Sequence, residues 1–122
     1  DGLLYPKRGI ASLGPLVVKA SAGNVFRAPI IRCDATAAAV TALKAKGYQV
    51  ATLEASATTS LFEFKAADNL VCVLGGESEG IGREVAVLAD TRLTIPMANG
   101  VESLNVAVTA ALVSFHLGQT PD

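Results

Sequence analysis

Three polar side chains, those of Glu102, Ser103 and Asn105, stand directly before an almost wholly apolar segment, residues 106–113. Polar groups at the start of a buried helix are costly unless a partner satisfies them, so this spacing indicates a ligand site or a helix cap. The amide of Asn105 can both donate and accept hydrogen bonds, which suits it to hold the polar edge of a ligand. Ser103 is also a good N-cap residue and Glu102 favours the positive end of a helix, so a purely structural role stays open.

A second candidate is the glycine-rich segment LGGESEG, residues 74–80. Gly75 and Gly76 allow a ligand to approach the backbone closely because no side chain intervenes. Glu77 and Glu79 would repel a phosphate, and the sequence has neither a GxGxxG nor a GKS/T motif. The segment therefore favours a ligand that is cationic or offers hydroxyl groups, although a plain turn with solvated carboxylates stays open.

Elsewhere the sequence offers little for catalysis or metal binding. His116 is the only histidine and has no Ser or Asp partner at a readable spacing. Cys33 and Cys72 lie far apart and match no metal-binding spacing, so no metal is expected. Because Cys72 lies in the apolar segment LVCVLG, it is predicted to be a buried free thiol, which fits a protein of the reducing cytoplasm.

The composition predicts one ordered domain, since 51% of the 122 residues are hydrophobic and only 17% are charged. The net charge of −1 is a poor basis for non-specific nucleic-acid binding, although a local basic patch stays open. No apolar stretch reaches the roughly 18 residues of a membrane span, so no membrane partner is expected. The chain begins at DGLLYP without Met, and we expect it to be a fragment of a longer protein.

The secondary-structure elements that position these residues can be predicted from the sequence. Gly, Pro, Asn and Asp residues separate short apolar segments, which predict strands, from segments with helical patterns. The predicted strands are residues 2–5, 28–33, 48–53, 69–75 and 91–96, and the predicted helices are residues 16–25, 36–47, 83–89 and 103–117. This alternation predicts an α/β fold, a parallel sheet with helices on both faces.

Ligands of such sheets bind beyond the carboxyl ends of the strands, so the loops after Leu53, Leu74 and Ile95 are the expected site. The last predicted helix is apolar nearly all round, which predicts burial on most sides. In so small a domain, this burial indicates packing against a second subunit as well as against the sheet.

Two segments resemble motifs of a known family. LVCVLGGESEGIG, residues 70–82, resembles the second motif of the SpoU (TrmH-like) branch of the SPOUT RNA methyltransferases. LTIPMANGVESLNVAVTAAL, residues 93–112, resembles the third and more specific motif. KASAGNVFRAPI, residues 19–30, is similar to a segment of the ribosomal RNA members, including the thiostrepton-resistance type. The resemblance spans essentially the whole chain.

The resemblance implies an α/β fold whose C-terminal part is tied in a deep trefoil knot, an exception to the usual absence of knots. It also implies a homodimer through the C-terminal helix, S-adenosylmethionine as methyl donor, and RNA 2′-O-ribose methylation, with ribosomal RNA favoured over transfer RNA. Carried over by motif, the implied cofactor contacts are Thr52, Leu53, Leu74, Gly75, Gly76, Glu77, Ile95, Pro96, Met97, Ser103, Leu104 and Asn105. The implied catalytic positions are Glu77, Ser103 and Asn105.

The sequence departs from the family pattern in two places. Gly76 stands where the second motif usually carries Asn, and the lost side-chain amide is expected to loosen that loop. The first motif, an Asn followed about six residues later by the Arg thought to activate the ribose hydroxyl, has no match, because Asn24 and Arg27 have the wrong spacing. We therefore expect a methyltransferase domain over residues 1–122 that lacks its N-terminal strand and first motif and is inactive alone.

Three hypotheses follow. The leading hypothesis is that the chain is part of an RNA 2′-O-methyltransferase. The second is a non-catalytic cofactor-binding or dimerisation module of the same fold, for which Gly76 is the only support in the sequence. The third is a generic nucleotide-binding α/β domain, which the glutamates of the glycine-rich segment and the missing phosphate motif disfavour.

Overall fold

The computed structural model describes residues 1–9, 12–76 and 78–119. The chain forms two compact units, residues 1–39 and 40–122, and each contains its own parallel sheet. The expectation of a single parallel sheet is therefore wrong, because the first two strands pair only with each other among the described residues. The α/β class with parallel strands is confirmed.

In the first unit, β1 (Leu3–Pro6) pairs in parallel with β2 (Ile30–Cys33). Helix α1 (Pro15–Ala20) begins at a proline, whose fixed φ suits the first helical turn. This helix is shorter than the predicted one because the chain takes positive φ angles of 49° and 80° at Ala22 and Gly23. A short 3₁₀ turn, Asn24–Phe26, follows.

The second unit carries a four-stranded parallel sheet with the strand order β4-β6-β3-β5. The remaining elements are α2 (Thr36–Ala45), which contains the boundary between the units, β3 (Gln49–Leu53), β4 (Thr59–Ser60), a 3₁₀ turn (Leu61–Glu63), β5 (Leu70–Leu74), α3 (Arg83–Ala86), β6 (Thr91–Thr94) and α4 (Val106–Leu117). The short strand β4 was expected to be loop, and it exists because its two residues pair with the end of β6.

The core of the second unit is built around β3. Ala51 has no exposed surface and clusters with Leu61, Leu93 of β6 and Val113 of α4, so α4 covers one face of the sheet. The opposite face of β3 is covered as well, since Val50 has no exposed surface either. A strand buried on both faces is typical of the centre of a parallel sheet.

Side-chain bonds extend the pairing of β3 with β6 beyond the ladder. Asp90 precedes β6; its carboxylate Oδ2 accepts from the amide of Val50 at 2.8 Å, and its own amide donates to the Val50 carbonyl at 2.8 Å. Lys44 pairs with the same carboxylate at 2.7 Å. The Lys44 and Val50 donors hold the pKa of Asp90 below its ordinary value. These bonds fix the amino end of β3 against the start of β6.

Helix α4 departs from the sequence prediction at its start. It begins at Val106 rather than near Ser103. Only Val113 is fully buried in this helix, whereas Val108 and Phe115 keep 47% and 70% of their surface exposed. The sheet of the same chain thus covers one side of α4, and burial on most sides, which was expected to involve a second subunit, stays a prediction. No described helix combines the length and the apolar character that crossing a membrane requires.

Candidate functional site

The candidate site lies at the carboxyl ends of three neighbouring strands. β3 pairs with β5 on one side and with β6 on the other. From β3 the chain passes first to β4, beyond β6, then to β5, and then back across β3 to β6, so successive strands lie on opposite sides of β3. In open parallel sheets a ligand crevice forms at such a change of side, outside the carboxyl ends of the strands. A pocket of about 840 Å³ occupies this position.

Most residues that the sequence assigned to the site line this pocket. They are Leu53, Leu74, Gly75, Gly76, Ile95, Pro96, Met97, Ser103, Leu104 and Asn105. Thr52 does not line it, because its side chain is fully buried within the sheet. Glu77 lies outside the described residues. The three loops named from the sequence thus meet in one place, as parallel strands require.

Glu54 lines the pocket and was missed by the sequence analysis. It directly follows β3, and its Oε1 accepts from the Thr52 hydroxyl at 2.7 Å while Oε2 accepts from Arg92 Nε at 3.0 Å. The bond from Arg92 holds the pKa of Glu54 below its ordinary value, with partial burial opposing it and Thr52 assisting. Its side chain is 17% exposed, so an ionised carboxylate is held at the pocket wall. Its place immediately after a strand end was the signal that could have identified it.

The glycine-rich segment is held by backbone contacts. Gly76 and Gly80 form an antiparallel bridge with N–H to O distances of 3.2 and 3.1 Å. A Cβ on Gly75 would lie 2.6 Å from the carbonyl carbon of Gly80, closer than atoms can approach, so a side chain is excluded there. At Gly76 a Cβ would meet nothing within 4 Å. The bridge therefore closes the base of the loop without the amide side chain that Gly76 lacks.

The third loop carries the chain from β6 to α4 through a tight turn. Asn99 and Gly100 both have positive φ angles, 57° and 72°, and the amide of Val101 donates to the carbonyl of Ala98 at 3.3 Å. An Asn-Gly pair readily adopts two successive positive φ angles, as a type I′ turn requires. The turn leads the chain to Glu102 and the following pocket residues.

Asn105, not Ser103, caps helix α4. Its Oδ1 accepts from the amide of Ala107 at 2.8 Å, and its backbone is outside the helical region at φ −54° and ψ 137°. Asn and Ser are comparable N-cap residues, so composition alone could not choose between them. The cap fixes Asn105 at the pocket wall and makes it both a structural residue and a lining residue.

The pocket has acidic but no basic side chains in its described lining. Glu54 and Glu102 line it, and none of its described lining residues is Lys or Arg. The charge of Glu54 is largely offset by its ion pair with Arg92, so Glu102 contributes most of the negative potential. The walls between the two carboxylates are apolar or backbone, from Leu53, Leu74 and Ile95. Such a lining disfavours phosphate groups and favours a ligand with a positive charge and an apolar part. Within the described part of the chain, no cluster of side chains is suited to hold a metal ion.

Comparison of the sequence with known proteins gives a consistent result. Residues 1–115 match the SpoU rRNA Methylase family. The chain is 36% identical over 117 residues to a Staphylococcus aureus protein assigned to the TrmH family of tRNA/rRNA methyltransferases, an alignment that covers 96% of this chain and 47% of that protein. The chain thus spans about half the length of the curated relatives it matches.

Solved structures show the same fold. An AdoMet-bound rRNA methyltransferase from Sinorhizobium meliloti superposes with a TM-score of 0.84 at 25% identity, covering 94% of this chain and 44% of that one. A structure described by the 2-OH methylation of C/U34 on tRNA gives a TM-score of 0.78 at 28% identity, covering 96% of this chain and 79% of that one. The resemblance drawn from residues 70–82 and 93–112 is confirmed.

The two glycines at the base of the loop make a matched pair of variants. Gly75→Ala is expected to lower the free energy of unfolding by roughly 1–3 kcal/mol, because the new Cβ overlaps the backbone of Gly80. Gly76→Ala is expected to stay near the wild type, since its Cβ points into open space. Urea denaturation followed by circular dichroism measures both, and equal stability of the two variants would contradict the described loop geometry.

Substitution of Asn105 separates its two roles. Asn105→Ala is expected to lower the free energy of unfolding by about 1 kcal/mol, because the cap of α4 is lost. Asn105→Asp keeps the capping oxygen and is expected to retain that stability, because Asp is as good an N-cap as Asn. Thermal denaturation of the three proteins tests this, and an equal loss in both variants would show that the cap is not the stabilising interaction.

Proposed function

Because the chain belongs to the SpoU rRNA Methylase family, we propose that it forms the cofactor-binding part of an S-adenosylmethionine-dependent RNA 2′-O-ribose methyltransferase. The observation that carries this proposal is the pocket at the carboxyl ends of β3, β5 and β6, lined by carboxylates and, in its described part, by no basic side chain. The AdoMet-bound Sinorhizobium meliloti rRNA methyltransferase, similar over 94% of this chain, supports it.

The chemistry of the pocket fits this cofactor. Its volume of about 840 Å³ lies within the range usual for small-molecule sites. S-adenosylmethionine combines an apolar adenine ring with a sulfonium and an ammonium group, so it needs apolar walls and negative potential. Leu53, Leu74 and Ile95 provide the former. Glu102 provides the latter, since the Glu54 carboxylate is already paired with Arg92. Gly75 and Gly76 leave the backbone open to hydroxyl and amine donors.

The reaction requires positioning more than covalent participation by the protein. When bound, S-adenosylmethionine supplies an electrophilic methyl group to the ribose oxygen. Glu102 favours positive charge at the pocket, and the cap of α4 fixes Asn105 at the pocket wall. An attacking hydroxyl must be aligned and must lose its proton, which requires a further group near it.

The sequence offers no match for that further group. In the family the Arg of the first motif is thought to serve this purpose, and no stretch of the present sequence matches that motif. We therefore propose that the chain is a methyltransferase domain in which no segment matches the first motif, and that it binds cofactor but transfers little or no methyl by itself. On the same resemblance we propose a trefoil knot in the C-terminal part and a cytoplasmic location.

Ribosomal RNA is the proposed substrate class. The segment at residues 19–30 resembles ribosomal RNA members of the family, and the Sinorhizobium meliloti neighbour is named an rRNA methyltransferase. The neighbour concerned with C/U34 of tRNA makes transfer RNA the alternative outcome. Methylation assays of the complete protein with each RNA separate the two.

The alternative of a non-catalytic module rests on Gly76. The bridge between Gly76 and Gly80 forms through backbone atoms alone, which supports a competent loop without the usual Asn side chain. The observation therefore favours the cofactor-binding proposal over a decayed pocket.

The ligand preference of the pocket is testable by calorimetry. S-adenosylhomocysteine and S-adenosylmethionine are expected to bind the chain with micromolar affinity, and Ser103→Ala is expected to weaken binding severalfold. ATP shares the adenosine group but carries phosphates, and it is expected not to bind because the described lining has carboxylates and no basic side chain. Comparable binding of ATP would instead support a generic nucleotide-binding domain.

A homodimer through α4 is proposed from the exposed apolar side chains of that helix. Val108 and Phe115 are seven residues apart and therefore share a helix face, and both are largely exposed in the single chain. Analytical ultracentrifugation at micromolar concentration is expected to show a dimer that Phe115→Glu converts to a monomer. Lys65→Glu, on an exposed loop, is the control and is expected to leave the dimer intact. A monomeric wild type would refute the proposal.

A further inference from the structure

The charges of this chain are segregated between its two units. Residues 1–39 contain five basic and two acidic side chains, a net charge of +3, whereas residues 40–122 contain five basic and nine acidic ones, a net charge of −4. The overall charge of −1 hides this contrast. All five basic side chains of the first unit are exposed: Lys7, Arg8, Lys19, Arg27 and Arg32.

Two of these cations lie on one short helical segment, residues 15–28. Lys19 is in the last turn of α1, and Arg27 ends the 3₁₀ turn that follows it. Hydrogen bonds tie the two turns together: the amide of Asn24 donates to the Ser21 carbonyl at 2.9 Å, and the Asn24 side chain donates to the same carbonyl at 2.9 Å. These hydrogen bonds fix α1 and the 3₁₀ turn relative to each other.

The same segment carries an exposed aromatic ring. Phe26 keeps 78% of its surface exposed and directly precedes Arg27. Neither α1 nor the 3₁₀ turn contains a fully buried residue. Among the described residues neither Lys19 nor Arg27 forms an ion pair, whereas Lys7 is paired with Asp34 at 2.5 Å. Exposed cations interleaved with an exposed ring match the two needs of single-stranded nucleic acid, phosphate neutralisation and base stacking.

We infer that residues 15–28 form an RNA-binding surface, in which Lys19 and Arg27 contact phosphates and Phe26 stacks on an unpaired base. The inference rests on the proposed function, since it supplies the surface that an RNA substrate requires. The second unit is net negative and its described pocket lining has no basic side chain, so the positive potential that attracts RNA arises from the first unit.

The test measures binding of a fluorescein-labelled single-stranded RNA of mixed sequence by anisotropy, between about 50 and 200 mM salt. The double variant Lys19→Gln/Arg27→Gln is expected to bind roughly tenfold more weakly at the lowest salt, and its plot of log K against log salt is expected to be less steep by about 1.4. Phe26→Leu is expected to weaken binding by roughly tenfold with the salt slope unchanged, because stacking is lost and charge is kept.

The matched control is Lys46→Gln/Lys65→Gln, which removes the same charge from exposed positions of the second unit. It is expected to bind RNA within about twofold of the wild type. An equal loss in the control, or no loss in the first-unit variant, overturns the inference. If Phe26→Leu binds RNA as tightly as the wild type, Phe26 is not part of the RNA-binding surface.

Calorimetry with S-adenosylhomocysteine on the same samples separates this inference from the proposed function. Cofactor binding without RNA binding by the wild type overturns the RNA surface and leaves the pocket assignment standing. Loss of both overturns both. Retained cofactor affinity in Lys19→Gln/Arg27→Gln also shows that the variant is folded.

Discussion

The parallel pairing of β3 with both β5 and β6 is the constraint on which the rest of the second unit depends. Val50 and Ala51 are fully buried on opposite faces of this strand, so its register cannot shift by one residue without exchanging the two faces. Ordered contacts continue past both ends of the ladder with β6, through Asp90 at one end and through Glu54 at the other. The strand that holds the core together is thus also the strand whose carboxyl end opens the pocket.

The interactions that stabilise the sheet also determine the positions of the polar groups in the site. Glu54 is bonded to Arg92 across the sheet, and its amide donates to the Leu93 carbonyl at 2.8 Å. The carboxylate is therefore held by bonds to both of its oxygens, which fix its orientation more firmly than that of a solvated glutamate on a free loop. Asn105 combines two functions in the same way, because capping α4 fixes it where the pocket lies. Substitutions at such positions change stability and ligand binding together, so variants that preserve the structural bond are needed to separate them.

Much of this arrangement could be predicted from local sequence, and the parts that could not are non-local. The strands at 48–53, 69–75 and 91–96 were located to within about two residues because apolar segments there end at Gly, Asp or Pro. The bond between Glu54 and Arg92 joins residues 38 apart, and no periodicity signals such a partner. Strand β4 likewise exists only through its pairing with β6. The choice of Asn105 over Ser103 as the cap depends on where the turn at Asn99 delivers the chain, which composition does not reveal.

The two ligands proposed for this protein make opposite electrostatic demands. A sulfonium cofactor is stabilised by negative potential, and an RNA strand is attracted by positive potential, so one uniform surface cannot serve both. The distribution of charge between the units meets this requirement, with a surplus of carboxylates in the unit that contains the pocket and a surplus of cations in the other. In the net charge of the whole chain the two surpluses cancel, and that value alone gives no indication of nucleic-acid binding. Net charge is therefore informative only when it is evaluated separately for each compact unit.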